Sequence, residues 1–308
     1  MPAATTSNFA NLVAPGLRKV WSDEWKKAKP EYATLLNTET SKRKYEEHIK
    51  VGELSSAVEK PEGQPTAFIT PTISALKRFT QVSYGVGFRV TREMYDFDLY
   101  GPMKRMSRQL AESARDRMEI VGATIFNDAF VTTGNIAPNT SAGFVSTEAL
   151  CATSHALQGG GTWSNRPSVD VDFSLTALQA ACDSLEGVVN EVNMPRPIKP
   201  VLVVGDYRYK WAFREVLGSP NKPYTAGNEI NPLVDEDLKW FLSHRFTDAD
   251  QWFVLGSKPN LGLWYFTSKA PTFDPGDDYD TGDAKFKTYF RCVVGYDEAR
   301  GVYGSSGG

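Results

Sequence analysis

The chain is poor in cysteine and has no long apolar run. Its three cysteines, Cys151, Cys182 and Cys292, lie far apart and never form a CxxC pair, which argues against a disulfide framework or a zinc ribbon. This usage fits a reducing compartment. The N-terminus lacks an apolar segment after a charged start, and no window approaches about 18 uninterrupted apolar residues. We therefore expect a soluble protein that is made in the cytoplasm and does not bind a membrane.

Motifs for catalysis are also scarce. The three histidines, His48, His155 and His244, stand in no HExxH or HxH pattern, so metal ligation is not expected. Ser154 and His155 are neighbours whose side chains point apart, and loop hydrogen bonding explains them better than a catalytic triad. Gly85-Val86-Gly87 lacks the third glycine of a dinucleotide loop, and no GxxxxGK[ST] motif exists. The sequence therefore predicts no catalytic, cofactor-binding or metal-binding residue and no enzyme activity.

Neither sign of charge dominates. Lysine and arginine total 34 against 37 aspartate and glutamate residues, a formal net charge of -3. This balance gives no global electrostatic attraction to nucleic acid or to an anionic membrane, so any DNA contact has to be local or weak. The longest basic cluster, Lys42-Arg43-Lys44, is followed by Glu46 and Glu47 and is interpreted as a solvated face.

Residues 51–90 have the pattern of a long β-hairpin. Segments 51–58 and 73–90 have strand-like composition and flank the turn-rich residues 60–65. The second arm alternates apolar and polar residues, so one of its faces is apolar. A two-stranded ribbon is marginal in water by itself, and we expect a neighbouring subunit to cover it.

A long amphipathic helix is predicted over residues 102–130. Pro102 suits a first helical turn, and Asp96 and Asp98 suit the positive end of a helix. The apolar residues recur at a mean spacing of about 3.7, close to the helical repeat. They are Met103, Met106, Leu110, Ala114, Met118, Val121 and Ile125.

The rest of the chain mixes helices and strands. A short amphipathic helix is expected within residues 15–29, whereas residues 131–172 show little periodicity. Ser174 is an N-cap candidate for a helix that reaches Val189 and buries Cys182.

A strand and a helix are expected to meet near Gly205. Residues 199–205 have the composition of a buried strand, and Asp206 is expected to cap the helix that follows. The alternative at this turn is an anion site that uses Tyr207 and Arg208, but helix capping is favoured.

The last third of the chain is rich in strand signals, at residues 251–255, 261–267 and 286–296. In the last of these segments two sets of side chains alternate, and Cys292 is expected to point inward with the aromatic residues. The inward set is Phe286, Thr288, Phe290, Cys292, Val294 and Tyr296, and the opposite set is Lys285, Lys287, Tyr289 and Arg291.

One group of carboxylates is crowded. Carboxylates among glycines can bind a hard cation. Aligned as a calcium loop from Asp277, the sixth place is Gly282, as required, but the twelfth is Thr288 instead of a glutamate. An ordinary acidic turn is the favoured interpretation, and a cation site near Asp278 is the alternative. The group consists of Asp274, Asp277, Asp278, Asp280 and Asp283.

Taken together, these segments resemble the tailed-phage major capsid proteins of the Hong Kong ninety-seven type, and in particular the Mu-like major head subunit family. The resemblance covers most of the chain from about Val51 onward, and the order of the parts carries it. These parts are the loop running into Val90-Thr91-Arg92-Glu93 and the long helix, Ser154-His155 with Gly159 to Gly161 and Asn165, the helix from Leu175, residues 200–204 and 228–233, Trp240-Phe241-Leu242, and residues 286–304.

The resemblance implies an α+β fold, the tailed-phage major capsid fold. It consists of an N-terminal arm (1–45), an extended loop (46–91), a peripheral domain (92–134 and 250–290) and an axial domain (135–249 and 291–308). The peripheral domain contains the spine helix (102–130) beside a long sheet, and the turn near Asp278 forms the tip of its hairpin. Because about 45 residues precede the loop, no fused scaffolding region is expected. Covalent cross-linking through Lys60, Lys77 and Glu62 is not predicted.

By the same resemblance, the chain is a major capsid (head) protein of a tailed double-stranded DNA bacteriophage. It is expected to self-assemble as hexamers and pentamers into an icosahedral shell, part of the virion, that is assembled in the host cytoplasm and encloses DNA without sequence-specific binding. Scaffold, portal and decoration proteins are further candidate partners. The alternatives are an encapsulin-like compartment for cargo enzymes and a metal-assisted hydrolase that uses His155 with the aspartates of residues 274–283.

Overall fold

The computed structural model describes residues 9–66, 68, 73–97, 100–132, 149–157, 160–222, 229–278 and 280–308. Asp98, Asn228 and, within the aperiodic segment 131–172, residues 133–148 and 158–159 lie outside these residues. Within them, no helix combines the length and the apolarity needed to cross a membrane.

Helices and strands are mixed along the chain. The helices are α1 (Phe9–Lys26), α2 (Tyr32–Leu35), α3 (Arg92–Asp96), α4 (Tyr100–Asn127), α5 (Leu175–Glu186) and α6 (Lys210–Gly218). The strands are β1 (Asn37–Thr40), β2 (Tyr45–Val51), β3 (Ile73–Thr80), β4 (Val82–Val90), β5 (His155–Ala156), β6 (Thr162–Trp163), β7 (Pro200–Asp206), β8 (Lys239–Ser243), β9 (Trp252–Gly256), β10 (Leu263–Asp277), β11 (Ala284–Tyr296) and β12 (Val302–Ser305).

The strands form two four-stranded sheets and two ribbons. The first sheet has the order β1-β10-β11-β4 and the second the order β12-β9-β7-β8. The ribbons are β2-β3 and β5-β6. The chain divides into two compact units, the first of residues Met1–Tyr45, Thr80–Gly122 and Tyr265–Val293 and the second of Glu46–Phe79, Ala123–Trp264 and Val294–Gly308.

The long helix α4 is confirmed, with Tyr100 and Asn127 as its ends in place of the predicted 102 and 130. All of its predicted apolar positions are buried except Met106, which is half-buried. In the first unit this apolar stripe packs on α1 and on the inner side of the first sheet. That core contains Leu17, Trp21, Val90, Met103, Leu110, Phe273 and Phe286.

The hairpin differs from the prediction. Strand β2 pairs with β3, and residues 52–66 contain no strand. The predicted second arm is interrupted at Gln81, whose backbone N–H donates to the carbonyl of Lys44 at 3.1 Å. Beyond it, β4 pairs antiparallel with β11, which places Phe88 opposite Phe286. Of this apolar face, Phe88 and Val90 pack on the chain's own core, whereas Val82 and Val86 are exposed, so cover by a neighbouring subunit stays a prediction for these two.

The second unit is built around β7, which runs parallel to β8 and antiparallel to β9. Helix α5 begins as predicted, because the Ser174 hydroxyl accepts a hydrogen bond from the backbone N–H of Ala177 at 3.2 Å. Cys182 is buried as expected. Helices α5 and α6 cover one face of the sheet, and their core includes Leu178, Leu185, Val203, Phe213, Val216, Trp252 and Val254.

Candidate assembly surfaces

Residues 52–66, the arm, leave β2 of the second unit without regular structure, and all are half-buried or exposed. Leu54 is 55% exposed and Val58 is 76% exposed, and Phe68, just beyond the arm, is 94% exposed. Exposed apolar surface is unfavourable in water, by about 25 cal/mol for each Å². A contiguous apolar patch marks an interaction surface, so these three side chains make the segment a candidate for contact with another molecule.

The start of the arm is held by its own unit. The Arg196 guanidinium lies 2.5 Å from a carboxylate oxygen of Glu53, and the Ser56 hydroxyl donates to the Met194 sulfur at 2.9 Å. These two contacts fix the direction in which the chain leaves β2. From residue 54 to residue 66 all side chains, including that of Ser56, are exposed.

Just before the arm, four charged side chains form the ionic hub: Lys50, Glu191, Glu298 and Arg300. The Lys50 ammonium lies 2.7 Å from Glu191 and 2.5 Å from Glu298. The Arg300 guanidinium donates to Glu191 at 2.9 Å, to both oxygens of Glu298 at 3.0 and 2.9 Å, and to the Val189 carbonyl at 2.8 Å. The hub therefore ties the base of the arm to two distant parts of the unit.

Burial makes the ionic hub sensitive to the loss of any member. The side chains of Arg300 and Glu191 are 6% and 7% exposed. Burial alone raises the pKa of the Glu298 carboxyl, but Lys50 and Arg300 outweigh it, so this pKa lies below its ordinary value. The sequence did not predict the hub because its members come from three separate segments, at residues 50, 191 and 298–300, and none belongs to a recognisable motif.

A cavity of about 190 Å³ lies beside the hub. Its titratable groups are paired, because His48 Nδ1 lies 2.7 Å from Asp297 Oδ2 and the buried Lys77 ammonium lies 4.2 Å from the ring centre of Tyr296. The lining residues are His48, Ile49, Lys50, Lys77, Asp297 and Glu298. The cavity thus belongs to the anchorage of the arm.

The possible cross-linking residues have different surroundings. Lys77 is buried against Tyr296, whereas Lys60 and Glu62 are exposed on the arm. The Lys77 ammonium is thus occupied within its own unit, and the two arm residues face solvent.

A second buried cluster, the amide hub, centres on Asn165. Its side-chain amide donates to the carbonyls of Leu150, Ala299 and Val302 at 2.8, 3.2 and 2.9 Å. Its Oδ1 accepts from the backbone N–H of Ala152 at 2.9 Å. Asn165 is 1% exposed, so these bonds replace its contacts with water.

His155 belongs to the amide hub. Its Nε2 lies 2.8 Å from Asn165 Oδ1, and its ring stacks on Trp163 with the ring centres 4.4 Å apart. Because the Asn165 nitrogen already faces carbonyls, Oδ1 is the atom that meets His155, and Nε2 must carry the proton. The predicted loop hydrogen bonding of His155 is therefore confirmed, and the ring is fixed in a structural contact.

The aspartates near residue 278 face cations of the same chain. Asp278 lies 2.5 Å from the Lys285 ammonium and 3.5 Å from the Arg89 guanidinium, and Asp283 lies 3.2 Å from Arg89. The hydrogen bond from Lys285 holds the pKa of Asp278 below its usual range. Gly282 takes a left-handed φ of 71° that closes the turn. In the described part of the chain, no three His, Cys, Asp or Glu side chains are arranged to hold a metal ion.

At the strand–helix turn after Gly205, helix capping is observed. The Asp206 carboxylate accepts from the backbone N–H of Arg208 at 3.0 Å. The Arg208 guanidinium lies 3.7 Å from the same carboxylate, and Tyr207 stacks on His244 with the ring centres 4.9 Å apart. Asp206 therefore caps the short 3₁₀ helix Tyr207–Tyr209, as the capping interpretation predicts, but α6 itself begins at Lys210 without a side-chain cap.

The three cysteines are free and buried. Burial raises the pKa of Cys182 to about 12 and that of Cys292 to about 11, and it raises the pKa of Cys151 as well. Because the thiolate is the reactive form, these thiols are inert near neutral pH. The inward direction predicted for Cys292 is confirmed.

Solved structures of capsids and compartments share this architecture. The capsid of an empty GTA particle matches with a TM-score of 0.56 and 10% identity, over 90% of this chain and 89% of that one. A protein of Mycobacterium phage Che8 matches with a TM-score of 0.51 and 13% identity, over 90% and 91%. The SrpI encapsulin of Synechococcus elongatus matches with a TM-score of 0.54 and 9% identity, over 92% and 89%. Identities this low carry the fold alone.

The sequence gives the family. No protein of curated function matches the chain. The family model described as phage capsid protein matches residues 76–305, well over half of the 308 residues. The mixed helix and sheet architecture agrees with this match, because it is similar to that of tailed-phage capsids of the Hong Kong ninety-seven type. The chain belongs to the phage capsid protein family.

Proposed function

We propose that the chain is the major capsid (head) protein of a tailed double-stranded DNA bacteriophage, and that it assembles as hexamers and pentamers into an icosahedral shell around the genome. One observation carries the proposal beyond the family. The arm presents the exposed side chains of Leu54 and Val58, with Phe68 just beyond it, while a buried ionic hub fixes its base. A rigid base with an apolar arm suits a heterologous contact, which closes into rings and shells when repeated.

The proposal assigns roles to parts of the chain. Residues 1–45 form an N-terminal arm and residues 46–91 the extended loop that lies on an adjacent subunit. Residues 92–134 and 250–290 form a peripheral domain, and residues 135–249 and 291–308 an axial domain. We place the chain with the Mu-like major head subunits, assign its assembly to the host cytoplasm, and regard scaffold, portal and decoration proteins as its further partners.

The second candidate is an encapsulin-like compartment, and the similarity to the SrpI encapsulin supports it. The two functions differ in the content of the shell. A phage head encloses DNA, whereas a compartment encloses cargo protein. Purified particles are therefore analysed for nuclease-protected DNA and for co-purified protein after they are opened.

The arm gives a direct test of assembly. We expect the triple variant Leu54→Ser, Val58→Ser and Phe68→Ser to lose closed shells, because apolar contacts with the adjacent subunit are removed. Negative-stain electron microscopy with light scattering measures shells, tubes and free capsomers. The control variant Val169→Ser with Ile230→Ser removes side chains that are 75% and 77% exposed away from the arm, and it should assemble like the wild type.

Two results would count against the proposal. One is wild-type assembly by the arm variant, since the arm would then carry no contact between subunits. The other is a wild-type chain that stays monomeric over a range of concentration and salt, even when it is co-expressed with the products of neighbouring genes.

A further inference from the structure

The outer side of the first sheet carries a row of cations, the basic face. It consists of Lys269 on β10, Lys285, Lys287, Tyr289 and Arg291 on β11, and Ser83, Gly85, Gly87 and Arg89 on β4. The register pairs Lys285 with Arg89 and Arg291 with Ser83, and side chains directly opposite each other share one face. Lys269 lies on this face too, because its ammonium is 5.0 Å from the ring centre of Tyr289.

The two sides of this sheet differ sharply. Phe286, Phe290 and Cys292 of β11 are buried, whereas Lys285, Lys287 and Arg291, which alternate with this inward set, are exposed. The alternation predicted from sequence for this strand is thus confirmed, and it leaves five cations on the outer side. Same-side residues of a strand recur about every 6.8 Å, so these cations form a spaced row instead of a single cluster.

The basic face is neutralised at one end only. Asp278 and Asp283 pair with Lys285 and Arg89 at the acidic turn. Farther along, Lys269, Lys287 and Arg291 are exposed, and within the described residues no carboxylate pairs with them. These three side chains are the available positive charges of the face.

Tyr289 is the centre of this positive region. Its hydroxyl lies 2.9 Å from the Ser83 hydroxyl and accepts from the Arg291 guanidinium at 2.5 Å. The hydrogen bonds from Ser83 and Arg291 lower the pKa of Tyr289, which agrees with a positive local potential.

Two glycines of β4 leave the basic face without side chains next to its cations. Gly87 stands opposite Lys287, and a Cβ added to it would lie 2.8 Å from the Phe286 carbonyl oxygen and 3.2 Å from the Lys287 Cβ. Gly85 stands opposite Tyr289. Without side chains at these two positions, a flat or convex polyanion can approach the lysine and arginine groups closely.

We propose that the basic face binds the sugar–phosphate backbone of double-stranded DNA without reading its sequence, a contact that rests on the function proposed above. The face matches a phosphate backbone by charge, and spaced lysine and arginine groups are the usual ligands of DNA phosphates. An acidic protein partner fits less well. Protein interfaces are depleted in lysine and have an apolar centre, and the basic face has two lysines and an arginine around a hydroxyl group.

The inference accounts for a near-neutral chain that encloses DNA. A net charge of -3 excludes strong attraction by the whole molecule, and only a local basic surface remains. Three available cations give a weak contact that salt can displace. Such a contact holds DNA near the protein and still allows it to move.

The test uses full-length protein under conditions that keep it unassembled, with a fluorescent duplex of about 30 base pairs and salt titrated by anisotropy. The variant Lys269→Ser, Lys287→Ser, Arg291→Ser should bind at least about 10-fold more weakly at low salt, and its slope of log K against log salt should fall by about 2 to 3. The control Lys42→Ser, Arg43→Ser, Lys44→Ser removes the same residue types from the exposed cluster near the N-terminus and should bind like the wild type.

The outcomes separate this inference from the proposed function, because shell formation is measured on the same variants by electron microscopy. Wild-type protein that does not bind the duplex at low salt overturns the inference, and so does equal loss in both variants. A face variant that binds normally but no longer assembles makes the face a contact between protein copies, which also overturns it. The variant Lys269→Arg, Lys287→Arg keeps the positive charges and should bind the duplex like the wild type, unlike the serine variant.

Discussion

Two buried polar clusters hold residues 297–305 in the second unit, and their chemistry differs. The amide hub uses one neutral side chain, Asn165, whose bonds go to backbone groups and to His155. The ionic hub uses four charges, and two of its members, Glu191 and Arg300, have side chains that are 7% and 6% exposed. Bonds from an amide to backbone groups involve no titrating group, whereas ion pairs weaken when a carboxylate takes up a proton.

The difference follows what each hub joins. The amide hub fixes the Val302 carbonyl and, through the Asn165 backbone carbonyl, the N–H of Gly304, so it secures an edge strand of the sheet. The ionic hub fixes Lys50, the residue from which the arm departs. The amide hub, inside the fold, thus holds its strand by bonds to backbone groups. The ionic hub, at the base of the proposed assembly arm, consists of ion pairs that depend on pH.

The largest effect is expected from Arg300→Met. The change leaves Glu191 and Glu298 side by side with Lys50 as their remaining hub partner, and it removes the guanidinium that lies 5.1 Å from the Trp163 ring centre. Breaking a buried ion pair by removing one partner costs about 3 to 5 kcal/mol. Urea unfolding of the unassembled protein measures the loss. Arg208→Met, at an arginine whose side chain is 62% exposed, should leave the unfolding free energy close to that of the wild type, because exposed ion pairs contribute little. Equal losses in both variants would show that the hub is not a centre of stability.

A loss of about 3 kcal/mol is expected from Asn165→Ala. The change leaves buried carbonyls and the Ala152 N–H without their partner, and each unsatisfied buried group costs about 1 to 3 kcal/mol. The control Asn260→Ala alters an exposed asparagine whose side chain bonds only locally to Ser257 at 3.2 Å, and it should cost less than about 0.5 kcal/mol. A loss at Asn165 no greater than the control would mean that water replaces the amide.

Sequence patterns predicted the periodic helices and strands of this fold but not the contacts between segments that are distant along the chain. Helix α4 and the alternation in β11 were predictable because packing on a single face imposes a fixed repeat on the residues. The break at Gln81 was not, because strand composition continues across it and only the partner strands differ. Asn165 belongs to the parts that carry the resemblance, but its five hydrogen-bonding partners come from two separate segments, 150–155 and 299–302, and the approach of the second segment depends on the tertiary fold.

The smallest expected effect is a change in how the unfolding free energy depends on acid pH, and it distinguishes the ionic hub from the amide hub. The pKa of Glu298 is lowered in the folded protein, so its contribution to stability is present above the unfolded pKa of about 4.3 and is lost as the pH falls through the folded pKa. In Glu298→Gln this contribution is absent at every pH. The decrease in unfolding free energy between about pH 5 and pH 3 should therefore be smaller than in the wild type. Asn165→Ala, although less stable, should keep the wild-type acid dependence because no titrating carboxylate of the ionic hub is altered. The opposite result is a changed dependence of the unfolding free energy on pH in Asn165→Ala and an unchanged dependence in Glu298→Gln. It would mean that the acid response comes from groups outside the ionic hub.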